Sequence, residues 1–187
     1  AGEILEKYPH VEDIYQEVKE IYGYTGKDYA VIVPSRIEEI MDEGEKLHHC
    51  VGSSDRYWER IERKESYVMF LRKVSKPDSP YYTLEIEADG TVRQKRTMYD
   101  RQKADIKDAE KFLREWQQVI SKRITAKERG LAEKSRILRN QEFTKMRENQ
   151  VIIRTGDLRG QLLVDVLMKD LMENKEELAG TALADAA

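Results

Sequence analysis

The chain is poor in the residues that staple or interrupt small folds. Its 187 residues include 1 cysteine, 4 prolines and 3 histidines. One thiol cannot close an internal disulfide, which fits a reducing cytoplasm. Nor can it provide the spaced cysteine pairs of a structural zinc site. No apolar run approaches the roughly 18 residues of a membrane-spanning helix, so no membrane partner is expected. Ala1-Gly2-Glu3 brings neither a start methionine nor a secretory signal pattern. The expectation is a cytoplasmic protein, either processed or a fragment of something longer.

Charge, by contrast, is plentiful. Charged residues make up 37% of the chain against 40% hydrophobic, enough for one core beneath a heavily solvated surface. The length suits one domain with an appendage or two small domains. The net charge of -3 is unevenly spread: residues 1–120 hold 20 Lys+Arg against 25 Asp+Glu, residues 121–150 hold 9 against 4, and residues 151–187 hold 4 against 7. The basic stretch reads as a phosphate-contacting surface or as a solvated helix laced with its own ion pairs.

Apolar spacing over residues 3–22 predicts a helix that restarts after Pro9. Ala30–Val33 is apolar but too short to classify. Ser35 and Glu38 then have the spacing of a capping box, opening a helix whose apolar face holds Ile37, Ile40, Met41, Leu47 and Val51. A short helix follows over 55–64, with Tyr57, Trp58 and Ile61 as its stripe. Residues 66–73 read as a strand buried on both faces, and 81–87 as an alternating strand. Asp89-Gly90 marks a hairpin turn into a return strand over 91–98. Counting by two from Val92 puts Gln94, Arg96 and Met98 on its inner face. From about Lys103 a long helical stripe runs through Leu131 and Leu138, uninterrupted by proline, and 158–177 is helical again. The prediction is α+β: helices packed on a three-stranded antiparallel meander over residues 1–120, followed by a helical C-terminal extension over 121–187.

The densest chemistry lies in Leu47-His48-His49-Cys50-Val51-Gly52. If the preceding helix continues that far, His48 falls on its apolar face, His49 about 100° away and Cys50 on the other flank. Adjacent helical side chains diverge, so neither a zinc site nor a Cys–His nucleophile is expected, and no metal or cofactor is predicted. What remains is acid–base chemistry by His48 opposite a polar strand. Arg96 and Gln94 would bind phosphate there, with Tyr99, Asp100 and Arg101 bordering the same pocket. A β-bulge near Gln94 would turn Arg96 to the other side and undo that pocket. The competing reading is a structural histidine and a snorkelling arginine. The Arg154–Arg159 turn has two glycines but matches no complete phosphate loop, and reads as a helix entry.

Glu43 through Gly52, together with Tyr67–Arg72, Pro80-Tyr81-Tyr82-Thr83-Leu84-Glu85, Val92–Arg96 and the aromatic helix ending near Trp116, resembles the signature of the PcfJ-like family over about residues 30–120. The family's recurrent positions fall on His48, Cys50, Gly52 and the Tyr82–Glu85 strand, with His49 beside them. The resemblance implies a bacterial mobile-element protein of conjugative elements or phages, without a settled activity. Two functional classes follow. One is a nucleic-acid- or protein-binding module whose basic helix contacts DNA or RNA through Lys122, Arg123, Arg136 and Arg139. The other is a metal-independent nuclease or phosphotransfer domain using His48, Arg96 and Gln94. Homo-oligomerisation through the long helix is a third possibility.

Overall fold

The computed structural model describes residues 1–47, 55–97 and 106–172. Its centre is an antiparallel sheet in which each strand pairs with its sequence neighbours. The strands are β1 (Tyr24–Thr25), β2 (Tyr29–Ile32), β3 (Tyr67–Lys73), β4 (Tyr82–Ile86) and β5 (Val92–Arg96). The class is α+β as expected, but the sheet has five strands instead of three. The addition is the β1–β2 hairpin, closed by a 2.8 Å bond from the Gly26 N–H to the Tyr29 carbonyl. Its strands are too short for any alternation to register.

Pro9 separates α1 (Gly2–Lys7) from α2 (Val11–Tyr22). The capping box expected at Ser35 does not form. The helix α3 (Ile37–Lys46) has Arg36 as its N-cap with no side-chain cap bond. A carboxylate from another helix does the capping instead: the Ile37 N–H donates to Glu12 Oε2 at 3.0 Å. Ser35 N–H donates to Glu39 Oε2 at 3.0 Å. Leu47 is the C-cap of α3, so the helix stops short of Val51. The next helix, α4 (Asp55–Glu62), buries Trp58 and Ile61.

The long C-terminal helix breaks in two. Between α5 (Ile106–Arg123) and α6 (Ala126–Glu148), Thr125 and Glu128 form a complete capping box. The Thr125 N–H donates to Glu128 Oε1 at 3.0 Å. The Thr-x-x-Glu signal was present in the sequence, masked by an apolar stripe that continues across the break. After it α6 turns back onto the sheet, burying Ala132, Ser135 and Arg139, so it is a layer of the fold and not a projecting arm. Residues 151–162 then form a turn closed by an Ile152–Leu162 bridge. The last described helix, α7, spans residues 163–172 and begins later than the expected 158.

The two faces of the sheet differ in character. On one, the cross-strand rows Tyr67–Ile86–Val92 and Leu71–Tyr82 are buried among aromatic side chains of α2 and α5. Tyr67 lies 5.6 Å from the Tyr22 ring, and Phe112 lies 5.9 Å from both Tyr24 and Tyr29. Lys95 is the exception on this face: it is buried in the row with Met69 and Leu84, 3.6 Å from Glu110. At the β3 edge, beyond the reach of β2, the Tyr15 hydroxyl both donates to the Val68 carbonyl and accepts from the Val68 N–H, each at 2.9 Å. It replaces a missing strand partner.

The opposite face carries Val68, Phe70 and Arg72 of β3, Thr83 and Glu85 of β4, and Gln94 and Arg96 of β5. It is covered by α3, α4 and α6. The strand pattern over β4 therefore separates two buried faces, one apolar and one ionic, rather than core from solvent. A bulge sets the membership of β5. Glu85 pairs with Gln94 and Ile86 with Val92, leaving Arg93 as the extra residue. Gln94 and Arg96 consequently do not share a face with Val92. One inserted residue inverts the side-chain phase, so counting by two from Val92 fails beyond it.

Candidate functional site

The ionic face is the most unusual environment among the described residues. Glu65, Glu85 and Glu87 are buried there with Arg60, Arg93 and Arg139. Arg60 on α4 donates to Glu85 at 2.9 Å and to Glu142 of α6 at 2.7 Å, and sits 3.7 Å from Glu65. Arg93 is aimed into the same cluster by the bulge, reaching Glu87 at 2.6 Å and Glu65 at 3.1 Å. Arg139 of α6 donates to Glu87. Ser66 and Gln94 donate to Glu85 at 2.6 and 2.9 Å, and Gln94 also donates to the Tyr57 hydroxyl at 2.9 Å. Buried ions are tolerable only when paired and hydrogen-bonded, and here each carboxylate meets at least two cationic or polar donors.

The cluster also fixes protonation states. Burial is the largest single influence on Glu85 and pushes its pKa up. The Arg60 and Arg93 guanidiniums, with the Ser66 and Gln94 hydrogen bonds, together outweigh it and hold the carboxyl below its ordinary value. For Arg60, burial acts first and lowers the pKa, but Glu85 and Glu142 more than compensate and keep it charged. The bonding is structural: Gln94 is held between Glu85 and Tyr57, and Arg93 among three glutamates.

Arg96 stands apart from this cluster. It lies beyond Gln94 on the same face, opposite Thr83, and is 9% exposed. Its Nη1 donates to the Lys95 carbonyl at 3.1 Å and forms an ion pair with Asp170 of α7. The sequence-nominated pair Gln94 and Arg96 is thus on one face, with Gln94 bonded to Glu85 and Tyr57 and Arg96 covered by the Asp170 side-chain carboxylate. The motif residues His48, His49, Cys50 and Gly52 lie outside the described residues, as do Met98, Tyr99, Asp100 and Arg101. The elements that bracket the motif are described, and both engage the ionic face. Ahead of it, Arg72 grips Glu43 of α3 with both Nη atoms at 2.5 Å, while its guanidinium lies 5.0 Å from the Phe70 ring centre. After it, α4 contributes Tyr57 and Arg60. Among the described residues no group of three or more His, Cys, Asp or Glu is placed to hold a metal.

The four nominated nucleic-acid contacts separate into different roles. Arg139 is 3% exposed and belongs to the core cluster, so it is not a surface cation. Arg123 caps the end of α2, donating to the carbonyls of Gly23 at 2.7 Å and Ile21 at 3.0 Å. Arg136 pairs with Glu133 one turn away at 2.6 Å. Lys122 is exposed at the end of α5. Sequence spacing did not single out Lys127, Arg129, Lys134, Lys145 and Arg147, all of them exposed on α6. Two of the four acids of this helix turn inward: Glu128 caps its start and Glu142 meets Arg60. Only Glu133 and Glu148 remain on the outer face. The outer surface is therefore more basic than the composition of the segment.

A family model for PcfJ-like protein matches residues 4–112. The chain belongs to the PcfJ-like family. The matched stretch reaches from α1 into α5, starting earlier than the resemblance over residues 30–120 and stopping before α6 and α7. A PcfJ-like chain of this kind also resembles an uncharacterized protein, Lin1253/Lin1744, of Listeria innocua serovar 6a, with 33% identity over 82 residues. That alignment spans 44% of this chain and 17% of the relative. No solved structure matches. No helix among the described residues of this family member is long and apolar enough to cross a membrane.

Proposed function

We propose that this PcfJ-like chain is a nucleic-acid-binding accessory protein of a bacterial mobile element, working in the cytoplasm, and that it meets phosphates with the outer face of α6. The observation that carries this reading is the sorting of charge on that helix. Lys127, Arg129, Lys134, Arg136, Lys145 and Arg147 are exposed, while Glu128 and Glu142 turn inward. Lys127, Lys134 and Lys145 fall within about 20° of one another at about 100° per residue, forming one line along the helix. No carboxylate among the described residues forms an ion pair with Arg129, Lys134 or Lys145. Exposed cations in a row release counterions when they meet a phosphate backbone, which gives affinity without sequence preference.

Reversing Lys127, Lys134 and Lys145 to Glu tests the proposal. Binding of a labelled DNA or RNA duplex, followed by fluorescence anisotropy across a salt series, is expected to weaken by one to two orders of magnitude. The salt slope should fall by roughly one for each lost phosphate contact. The melting transition should stay near that of the parent chain, since all three side chains are exposed. Unchanged affinity and slope would overturn the reading.

A further inference from the structure

We infer that Arg96 is an oxyanion subsite of the sheet, occupied in this structure by the Asp170 carboxylate of α7, and that a phosphate group displaces that carboxylate. The first support is how Arg96 is partnered. Arg60 is engaged by Glu65, Glu85 and Glu142, and Arg93 by Glu65, Glu85 and Glu87. Both are locked among carboxylates of several elements. Arg96 has one carboxylate partner among the described residues, and it arrives from the end of the described chain.

The second support is how lightly α7 is held. Of residues 163–172, only Val164, Asp170 and Leu171 are buried, and Met168 and Met172 are 40% and 48% exposed. A second ion pair to the body among the described residues, Arg147 with Asp165 at 3.1 Å, has both side chains more than half exposed and contributes little. Thus α7 sets two carboxylates on two arginines of the body: Asp165 on Arg147 of the basic helix and Asp170 on Arg96 of the sheet. A guanidinium offers the same fork of donors to a carboxylate and to a phosphate, so an internal carboxylate is a chemically reasonable stand-in for phosphate oxygens. When α7 departs, Arg96 keeps its strand position opposite Thr83 and loses its carboxylate partner. The ligand class is a phosphate oxyanion, supplied by a nucleic-acid backbone or as inorganic phosphate.

Hydrogen exchange on the full chain tests this directly. Inorganic phosphate is titrated at constant ionic strength against chloride, with a short oligonucleotide as a parallel arm. Phosphate is expected to speed exchange within residues 163–172 where chloride does not. Acceleration by the oligonucleotide alone assigns the subsite to nucleic-acid phosphates, and acceleration by inorganic phosphate assigns it to the free ion. Asp170→Asn should bind the successful probe about tenfold tighter, because a competing internal ligand has been removed. Adding Arg96→Gln should abolish that gain. Equal release by chloride, or no release by either probe, overturns the inference, and the exchange experiment decides even if Asp170→Asn unfolds. The reversal of Lys127, Lys134 and Lys145 leaves Arg96 untouched, so its response to inorganic phosphate separates failure of this subsite from failure of the α6 surface.

Discussion

Arg139 of α6 donates to Glu87 across a sequence separation of 52 residues, and the two side chains are 3% and 2% exposed. The bond ties α6 to the residue that follows β4. Around it the core contains ions where a small α+β domain ordinarily stacks aliphatic side chains. Such clusters specify one arrangement of elements, because each alternative leaves a charge buried without a partner.

Removing either side of that pair should have unequal effects. Glu87 retains Arg93 at 2.6 Å when Arg139 is lost, whereas Arg139 has no second carboxylate among the described residues. Glu87→Gln is therefore expected to destabilise by about 3–5 kcal/mol, the usual range for stranding a buried charge. Arg139→Met, which removes the charge and fills its volume, should cost less. Urea unfolding with an unchanged m-value checks the order, and the reverse order would refute this account of the cluster.

Acid should unfold the protein partly through Glu85. Its folded pKa lies below the ordinary value of 4.5. Its contribution is therefore fully present above about pH 4.5 and is lost as pH falls through the folded value, because the unfolded state then binds more protons. Stability measured by denaturant titration should decline with falling pH in that window. Glu85→Gln should be less stable at neutral pH and should show a shallower acid decline. A parallel decline in the two proteins would show that Glu85 is not a main source of acid sensitivity.

Tyr15→Phe should reveal how much α2 supports the sheet edge. The substitution keeps the ring and removes the one oxygen that serves both backbone groups of Val68. Leaving buried polar groups unpaired should cost about 1–3 kcal/mol. Exchange of the Val68 amide should accelerate more than that of amides on β4. Uniform acceleration across the sheet would point to a global loss of stability instead.

Several elements could be read from residue spacing alone. Pro9 divides the first helix because it lacks an N–H and fixes its own backbone angle. The turn at Gly90 follows from its φ of +90°, a conformation that glycine adopts freely, and the Asp89 side chain accepts the Thr91 N–H at 2.9 Å. The strand at Tyr67–Lys73 has a continuous apolar pattern because both its faces are covered. The signature around His48, with the Tyr82–Glu85 strand, is sufficient by itself to point to the family. The motif's own chemistry lies outside the described residues, and only its flanking anchors, Glu43 with Arg72 and Tyr57 with Gln94, enter the structural account.

The elements that escaped sequence reading were those decided by distant partners. Glu12 rather than Ser35 caps α3, and nothing local signals a donor-acceptor pair 25 residues apart. Lys122, Arg123, Arg136 and Arg139 look alike as a basic run, yet one is buried, one caps another helix, one pairs within its own turn and one faces solvent.

Composition, hydrophobic period and turn residues determined by themselves the α+β class and the central meander, because each depends on interactions within a few residues of the chain, and the motif signature pointed to the family. Tertiary structure decided the rest. The single bulge at Arg93 chose the faces for Gln94 and Arg96, the break at Thr125 folded α6 onto the sheet, and α7 brought Asp170 to Arg96. Those outcomes depend on which charges find each other once the core closes, and a buried charge is set by its partner in space.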